Sequence, residues 1–118
     1  MDTPRVVRTT KYGRVDCLDK TNSCHQYEIT DGWRGIPTIN RWAIINFQNG
    51  PIGVCGPNGC QNEDLIAIVI DHLKFFQQGG FSCRENANAL IKLEEALMWL
   101  EKRTADRIDR GVEEKNEV

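Results

Sequence analysis

The chain has 118 residues, of which 27% are charged and 40% hydrophobic, with a formal net charge of −2. That length sets an expectation of a single domain, 1–118, with a modest core. The charge argues against a protein that coats DNA or RNA. No apolar run nears the ~20 residues of a membrane span. The N-terminus "MDTPRVVRTTKYG" lacks the apolar stretch of a secretory signal, so an intracellular chain with reduced thiols is expected.

Residues 1–60 read as a β-rich part. "RVVRTT", "YGRVDCL" and "HQYEIT" mix β-branched residues with charge and predict short, half-exposed strands separated by turns such as "DKTNS". "DGWRGIPTIN" (31–40) is a Gly/Pro loop, and "RWAIINFQ" (41–48) is the strongest strand pattern. Asn49-Gly50 then gives a hairpin-turn signal ahead of "PIGVC", where Pro51 fits a strand start or an edge. "GPNG" (56–59) closes this part.

A helix is predicted over 62–78, with Asn62 as N-cap, Glu63 and Asp64 in the first turn, and Gly79-Gly80 as its stop. Leu65, Val69, Leu73 and Phe76 mark one face, widened by Ile66 and Ile70. A second, longer helix is predicted over 83–110, opened by a capping box of Ser82 and Glu85. Its main stripe is Leu90, Leu93, Leu97 and Leu100, and a second apolar set comprises Ala87, Ile91, Met98 and Trp99. Residues 112–118 read as a solvated tail. The fold class is therefore α+β: a small antiparallel N-terminal sheet followed by two C-terminal helices.

A helix that is apolar on two sides needs two partners. One is the neighbouring helix or the sheet; the other is a second copy of the same helix, which makes the chain a homo-oligomer. Charge is distributed unevenly: residues 61–118 carry eight Lys/Arg against twelve Asp/Glu, while residues 1–60 carry seven against five. Arginines nonetheless gather at the end of the last helix, at Arg103, Arg107 and Arg110. Cations there suit the helix dipole, yet Arg103 and Arg107 also share a face, and two guanidinium forks suit phosphate oxygens. Phe75 and Phe76 offer stacking surfaces, and Asn86 an amide that donates and accepts. Between antiparallel helices Phe76 and Asn86 fall at one end and Arg103 with Arg107 at the other. A ligand meets all four only when a second copy supplies its arginines.

Catalytic equipment is sparse. The sequence has no GxGxxG, P-loop, HExxH or GxSxG, and its two histidines, His25 and His72, are isolated. Cys83, beside Arg84 at a helix start, is a candidate nucleophile without an identifiable base. Cys17 and Cys24, flanking six residues, are spaced more loosely than structural zinc knuckles, and Cys55 and Cys60, flanking the four-residue turn "GPNG", stand at the upper limit of that spacing. They read as ordinary thiols, with pairing of Cys55 and Cys60 open to an oxidised chain. No enzyme activity, cofactor or metal is expected.

The segments "INFQNGPI" (45–52), "GPNGCQNEDLIAIVIDHLKFFQ" (56–77) and "CRENANALIKLEEALMWLEKRTADRIDRGVE" (83–113) closely resemble phage anti-defence proteins of the first Thoeris anti-defence family. "LEEALMW" is similar to the related phage sponge that captures the cyclic oligonucleotides of CBASS defence. The resemblance covers about residues 42–113. It implies a small antiparallel sheet with two C-terminal helices, assembled as dimers or hexamers in the host cell cytoplasm. It also implies that the protein binds a cyclic ADP-ribose isomer, glycocyclic ADP-ribose, and holds it intact, with cyclic di- or trinucleotides as further ligands. Carried over by motif, Phe76 stacks on the base, Asn86 hydrogen-bonds the ligand, and Arg103 and Arg107 grip the pyrophosphate and riboses. Cys55, Cys60 and the tail "GVEE" depart from the family pattern, and residues 1–41 match none of its motifs.

Overall fold

The computed structural model describes residues 5–19, 24–32 and 40–109. Most of the Gly/Pro loop, Arg110 and the C-terminal tail lie outside the described residues. The contacts divide the protein into two units. One holds the strands up to Asn49 together with Pro57–Cys60; the other holds Gly50–Gly56 and the residues from Gln61 onward.

The first unit is an antiparallel four-stranded meander, β1 (Arg5–Thr9), β2 (Arg14–Cys17), β3 (Gln26–Thr30) and β4 (Arg41–Asn46), in the spatial order 1-2-3-4. The four segments predicted as strands all form. Each pairs with its sequence neighbour, for example Val15 with Ile29 and Tyr27 with Ile45. Strand alternation decides which side chains point inward: along β4, Ala43 and Ile45 are half-buried, whereas Trp42 and Ile44 are exposed. Cys17 and Thr30 are fully enclosed, and Asp16, also buried, is bridged by Arg14 at 2.9 Å. Tyr27 meets Phe47 edge-on, with ring centroids 5.7 Å apart.

The predicted hairpin after β4 does not form. "IGVC" is instead a single helical turn, α1 (Ile52–Cys55). Pro51 has no N–H to give a ladder, and its carbonyl accepts from Val54 and Cys55 at 3.1 and 2.8 Å. Gly50 at φ 89° and Gly56 at φ 73° adopt the left-handed conformations that bracket this turn. The partner taken up at the end of β4 comes from the other side of α1: Phe47 forms a parallel bridge with Cys60, through Cys60 N–H to Asn46 O and Gln48 N–H to Cys60 O, both 2.8 Å. "GPNG" has a structural reason here. The Asn58 side chain accepts from Asn49 N–H at 2.8 Å and donates to Asn49 O at 2.7 Å. A Cβ on Gly59 would stand 2.5 Å from the Asn46 carbonyl oxygen, so only glycine permits this approach.

The second unit is dominated by two helices, α2 (Asn62–Gln77) and α3 (Arg84–Asp109). They run antiparallel: Glu63 lies near Arg103, Lys74 near Glu94 and Gln77 beside Cys83. Three local expectations are corrected. The N-cap of α2 is Gln61, not Asn62, because the reciprocal capping box joins Gln61 to Asp64. The helix ends at Gln78 in a right-handed conformation, with neither Gly79 nor Gly80 at positive φ. The third concerns α3, which begins one residue later than a Ser82 cap requires: Asn86 N–H donates to Cys83 Sγ at 3.4 Å. The Gln77 amide holds this start from outside, accepting from Cys83 N–H and donating to Cys83 O, each at 3.1 Å.

Ile70 is the buried centre of the hairpin. Leu65, Ile66, Leu73 and Phe76 of α2, and Leu90, Leu93, Leu97 and Leu100 of α3, are half-buried around the same seam. Val69, expected on the inner face, is exposed, since the seam follows Ile66–Ile70–Leu73 in steps of four and three. Ala87, expected in the second apolar set, joins the inner face. The rest of that set faces outward: Ile91 is 60% exposed, Met98 52% and Trp99 57%, joined by Ile68 and Phe75 of α2.

Candidate functional site

The closed end of the hairpin is aromatic. Phe76 is half-buried at the end of α2 and meets three rings edge-on: His72 at 4.8 Å, Phe75 at 6.0 Å and Phe81 at 6.1 Å between centroids. Phe75 and Phe81 are largely exposed, so part of this cluster presents π-faces outward. Asn86, in the first turn of α3, is half-buried; the Cys83 cap positions its backbone. Its carboxamide makes no hydrogen bond among the described residues. Aromatic faces and an amide together can stack a base and read its edge.

The open end is charged. Arg103 and Arg107 sit one turn apart near the end of α3, the first exposed and the second half-buried. Glu63, from the first turn of α2, lies between the helices with its carboxylate 14% exposed. It accepts from Thr104 Oγ1 at 3.0 Å, and its other oxygen lies 4.0 Å from Arg103 Nη2. A pair that long and that exposed contributes about 0–1 kcal/mol, so most of the Arg103 guanidinium is available to an anion. Asp106 pairs with Lys102 at 3.0 Å, not with either arginine. The N-terminus of α2, whose dipole favours anions, lies beside these arginines and offsets the opposing C-terminal dipole of α3.

Phe76 and Asn86 lie at the closed end of the hairpin and Arg103 and Arg107 at the open end, so the two pairs are apart within one chain. Asn86 and Arg103 are separated by 17 helical residues, about 25 Å of axis, longer than a cyclic dinucleotide is wide. Sequence reading missed Phe81, Glu63 and Thr104. An aromatic directly after Gly79-Gly80 was a usable signal for Phe81. Nothing in the sequence joins Glu63 to Thr104, which lies 41 positions on. Cys83, raised as a nucleophile, serves the backbone as a helix cap. Among the described residues no three His, Cys, Asp or Glu side chains converge as a metal site requires. Nor is any described helix long and apolar enough to cross a membrane.

The helical hairpin, together with the chain from β4 onward, falls within one known family. The family model described as "Acb2/Tad1, hairpin domain" matches residues 43–105, more than half of the chain, and the chain belongs to that family. The match takes in Phe76, Asn86 and Arg103, with Arg107 just beyond it. A particular relative is "Thoeris anti-defense 1" of Bacillus phage SBSphiJ7, 63% identical over 71 residues. Those residues make up 60% of this chain and 50% of that protein, so the match spans half the relative's length.

Proposed function

We propose that this chain is a Thoeris anti-defence protein that binds glycocyclic ADP-ribose in the cytoplasm of an infected cell and holds it intact. The observation that carries this reading is the polarity of the hairpin, with stacking and amide groups at one end and two arginines at the other. It is supported by 63% identity to a relative named for anti-defence. Phe76 stacks on the adenine, Asn86 hydrogen-bonds the ligand, and Arg103 and Arg107 take the pyrophosphate and riboses. Because one hairpin holds the two groups about 25 Å apart, a site contains Phe76 and Asn86 of one copy and the arginines of another. The exposed stripe of Ile91, Met98 and Trp99 is the surface on which copies pack, as a dimer or hexamer. No covalent step is involved: the protein succeeds by affinity and abundance, so each copy removes a signal molecule without turnover.

Calorimetric titration of the intact chain and of Arg103→Ala and Arg107→Ala with glycocyclic ADP-ribose tests the assignment. A charge-assisted hydrogen bond contributes about 1.5–3 kcal/mol, so each variant should bind roughly ten- to a hundredfold more weakly with an unchanged circular dichroism spectrum. Wild-type affinity in both variants would remove the arginines from the site.

A further inference from the structure

The sheet unit carries a second cluster that the hairpin site does not use. Arg5, Cys17 and Tyr27 form one row across β1, β2 and β3, since Arg5 pairs with Cys17 and Cys17 with Tyr27. Cys17 is 0% exposed. Past β2 the chain is clamped to the approach of β3: Leu18 N–H donates to Gln26 O at 2.8 Å. The Asp19 carboxylate accepts from the amides of Gln26 at 2.8 Å and His25 at 3.1 Å. This clamp returns Cys24 to the row. There it sits, partly exposed, at φ 60°, a left-handed conformation uncommon for a residue with a side chain. Arg5 Nη2 donates to Cys24 Sγ at 3.4 Å.

The two thiols are shifted in opposite directions. The hydrogen bond from Arg5, then the neighbouring Cys17 thiol, lowers Cys24 below the ordinary thiol range, while Cys17 Sγ itself donates to Asp19 Oδ1 at 3.8 Å. Burial, then the contact with Cys24, pushes Cys17 up. A cation-paired, accessible sulfur near an enclosed thiol is the arrangement of an attacking and a resolving cysteine.

We propose that Cys24 and Cys17 form an oxidisable dithiol, with Cys24 the nucleophile toward a disulfide oxidant RSSR and Cys17 the thiol that resolves the adduct. The Cys24 thiolate attacks one sulfur of RSSR, breaking its S–S bond, forming Cys24–S–SR and releasing RS⁻. Cys17 gives its proton to that RS⁻, and its sulfur then attacks Cys24 Sγ. The Cys17–Cys24 disulfide forms as the second RS⁻ leaves, which takes up from solvent the proton Cys24 had lost. The dithiol is oxidised by two electrons and the oxidant is reduced to two thiols.

The full chain, treated with oxidised glutathione at neutral pH, quenched with alkylating agent and digested without reductant, tests this by mass spectrometry. A cross-linked Cys17–Cys24 peptide, two hydrogens lighter than the pair, is expected. Cys17→Ser should instead accumulate glutathione on Cys24. Arg5→Ala should slow the reaction of Cys24 several-fold relative to the exposed Cys55 of the same molecule, and Arg5→Lys should restore part of the rate. Glutathione persisting on Cys24 of the unaltered chain, or Cys24 reacting no faster than Cys55, would overturn the proposal.

Discussion

Leu97 and Met98 are neighbours in sequence, but the hairpin exposes them to different degrees, so the same substitution should break different things. Both line a groove that reaches Ile70; Leu97 is half-buried there, whereas Met98 is 52% exposed. Full burial of such a side chain contributes about 1.5–3 kcal/mol; with half of Met98 still open, a second copy can gain about 1 kcal/mol from it. Met98→Glu removes that and forces a carboxylate into an apolar seam, a further ~1–3 kcal/mol. A two-fold interface counts both losses twice, so association should weaken by about 4 kcal/mol or more, close to a thousandfold. The hairpin should survive, because glutamate keeps the helix propensity of methionine and gains Lys102 one turn on. Leu97→Glu acts inside the hairpin, where losing a packed leucine costs about 2–4 kcal/mol and lowers Tm by ~10 °C or more. Sedimentation velocity and a thermal melt separate the cases. A Met98→Glu protein of unchanged mass and melting temperature would refute the packing argument, and a collapsed melt would place Met98 in the core.

Other expected outcomes follow from single contacts. Phe76→Ala should lose base stacking, about 1–3 kcal/mol of binding, together with its ring contacts to His72, Phe75 and Phe81. Its binding loss should therefore be compared with its own melt; full affinity in a folded variant would exclude stacking. At Asp19, desolvation works to raise the carboxyl, but the amides of Gln26 and His25 outweigh it and hold the group below its ordinary range. A depressed folded-state pKa stabilises the fold above the unfolded value of about 3.9 and ceases to do so as pH falls through the folded value. Asp19→Asn should therefore melt earlier than the unaltered chain at pH 7, with the gap closing in acid; a gap independent of pH would contradict the assignment. Gly59→Ala, driven against the Asn46 carbonyl, should cost about 1–3 kcal/mol in chemical denaturation, and a neutral result would show that the end of β4 yields.

Both long helices were legible because their apolar periods are long and consistent, and the four strands because runs of β-branched residues alternate with turn signals; together they give the α+β order. What failed was local. Asn49-Gly50 carries a hairpin signal, but Pro51 cannot donate to a ladder and its carbonyl is taken by Val54 and Cys55, so a helical turn replaces the strand. Ser82 and Glu85 have the letters of a capping box, yet Gln77 grips Cys83 from the preceding helix and sets the start one residue later. That contact is tertiary and invisible in a linear pattern. The inward stripe of α3 was readable, whereas Val69 was assigned inward from a four-residue step that the seam does not follow. Phe76, Asn86, Arg103 and Arg107 were legible as residue types suited to a nucleotide. Their division between the two ends of the hairpin followed from antiparallel packing, which the contacts of Glu63 with Arg103 and of Gln77 with Cys83 establish. Glu63, the carboxylate between the helices at the arginine end, could be found only once Thr104 and Arg103 were seen beside it.

The most direct test of sequestration is to mix the protein with glycocyclic ADP-ribose, remove it by ultrafiltration, heat the retained protein and chromatograph both fractions. A filtrate depleted of ligand and release of the same unaltered compound on heating are expected. A new product in either fraction would contradict sequestration and make the protein an enzyme. Ligand recovered entirely in the filtrate would also contradict it and direct the same assay to cyclic di- and trinucleotides.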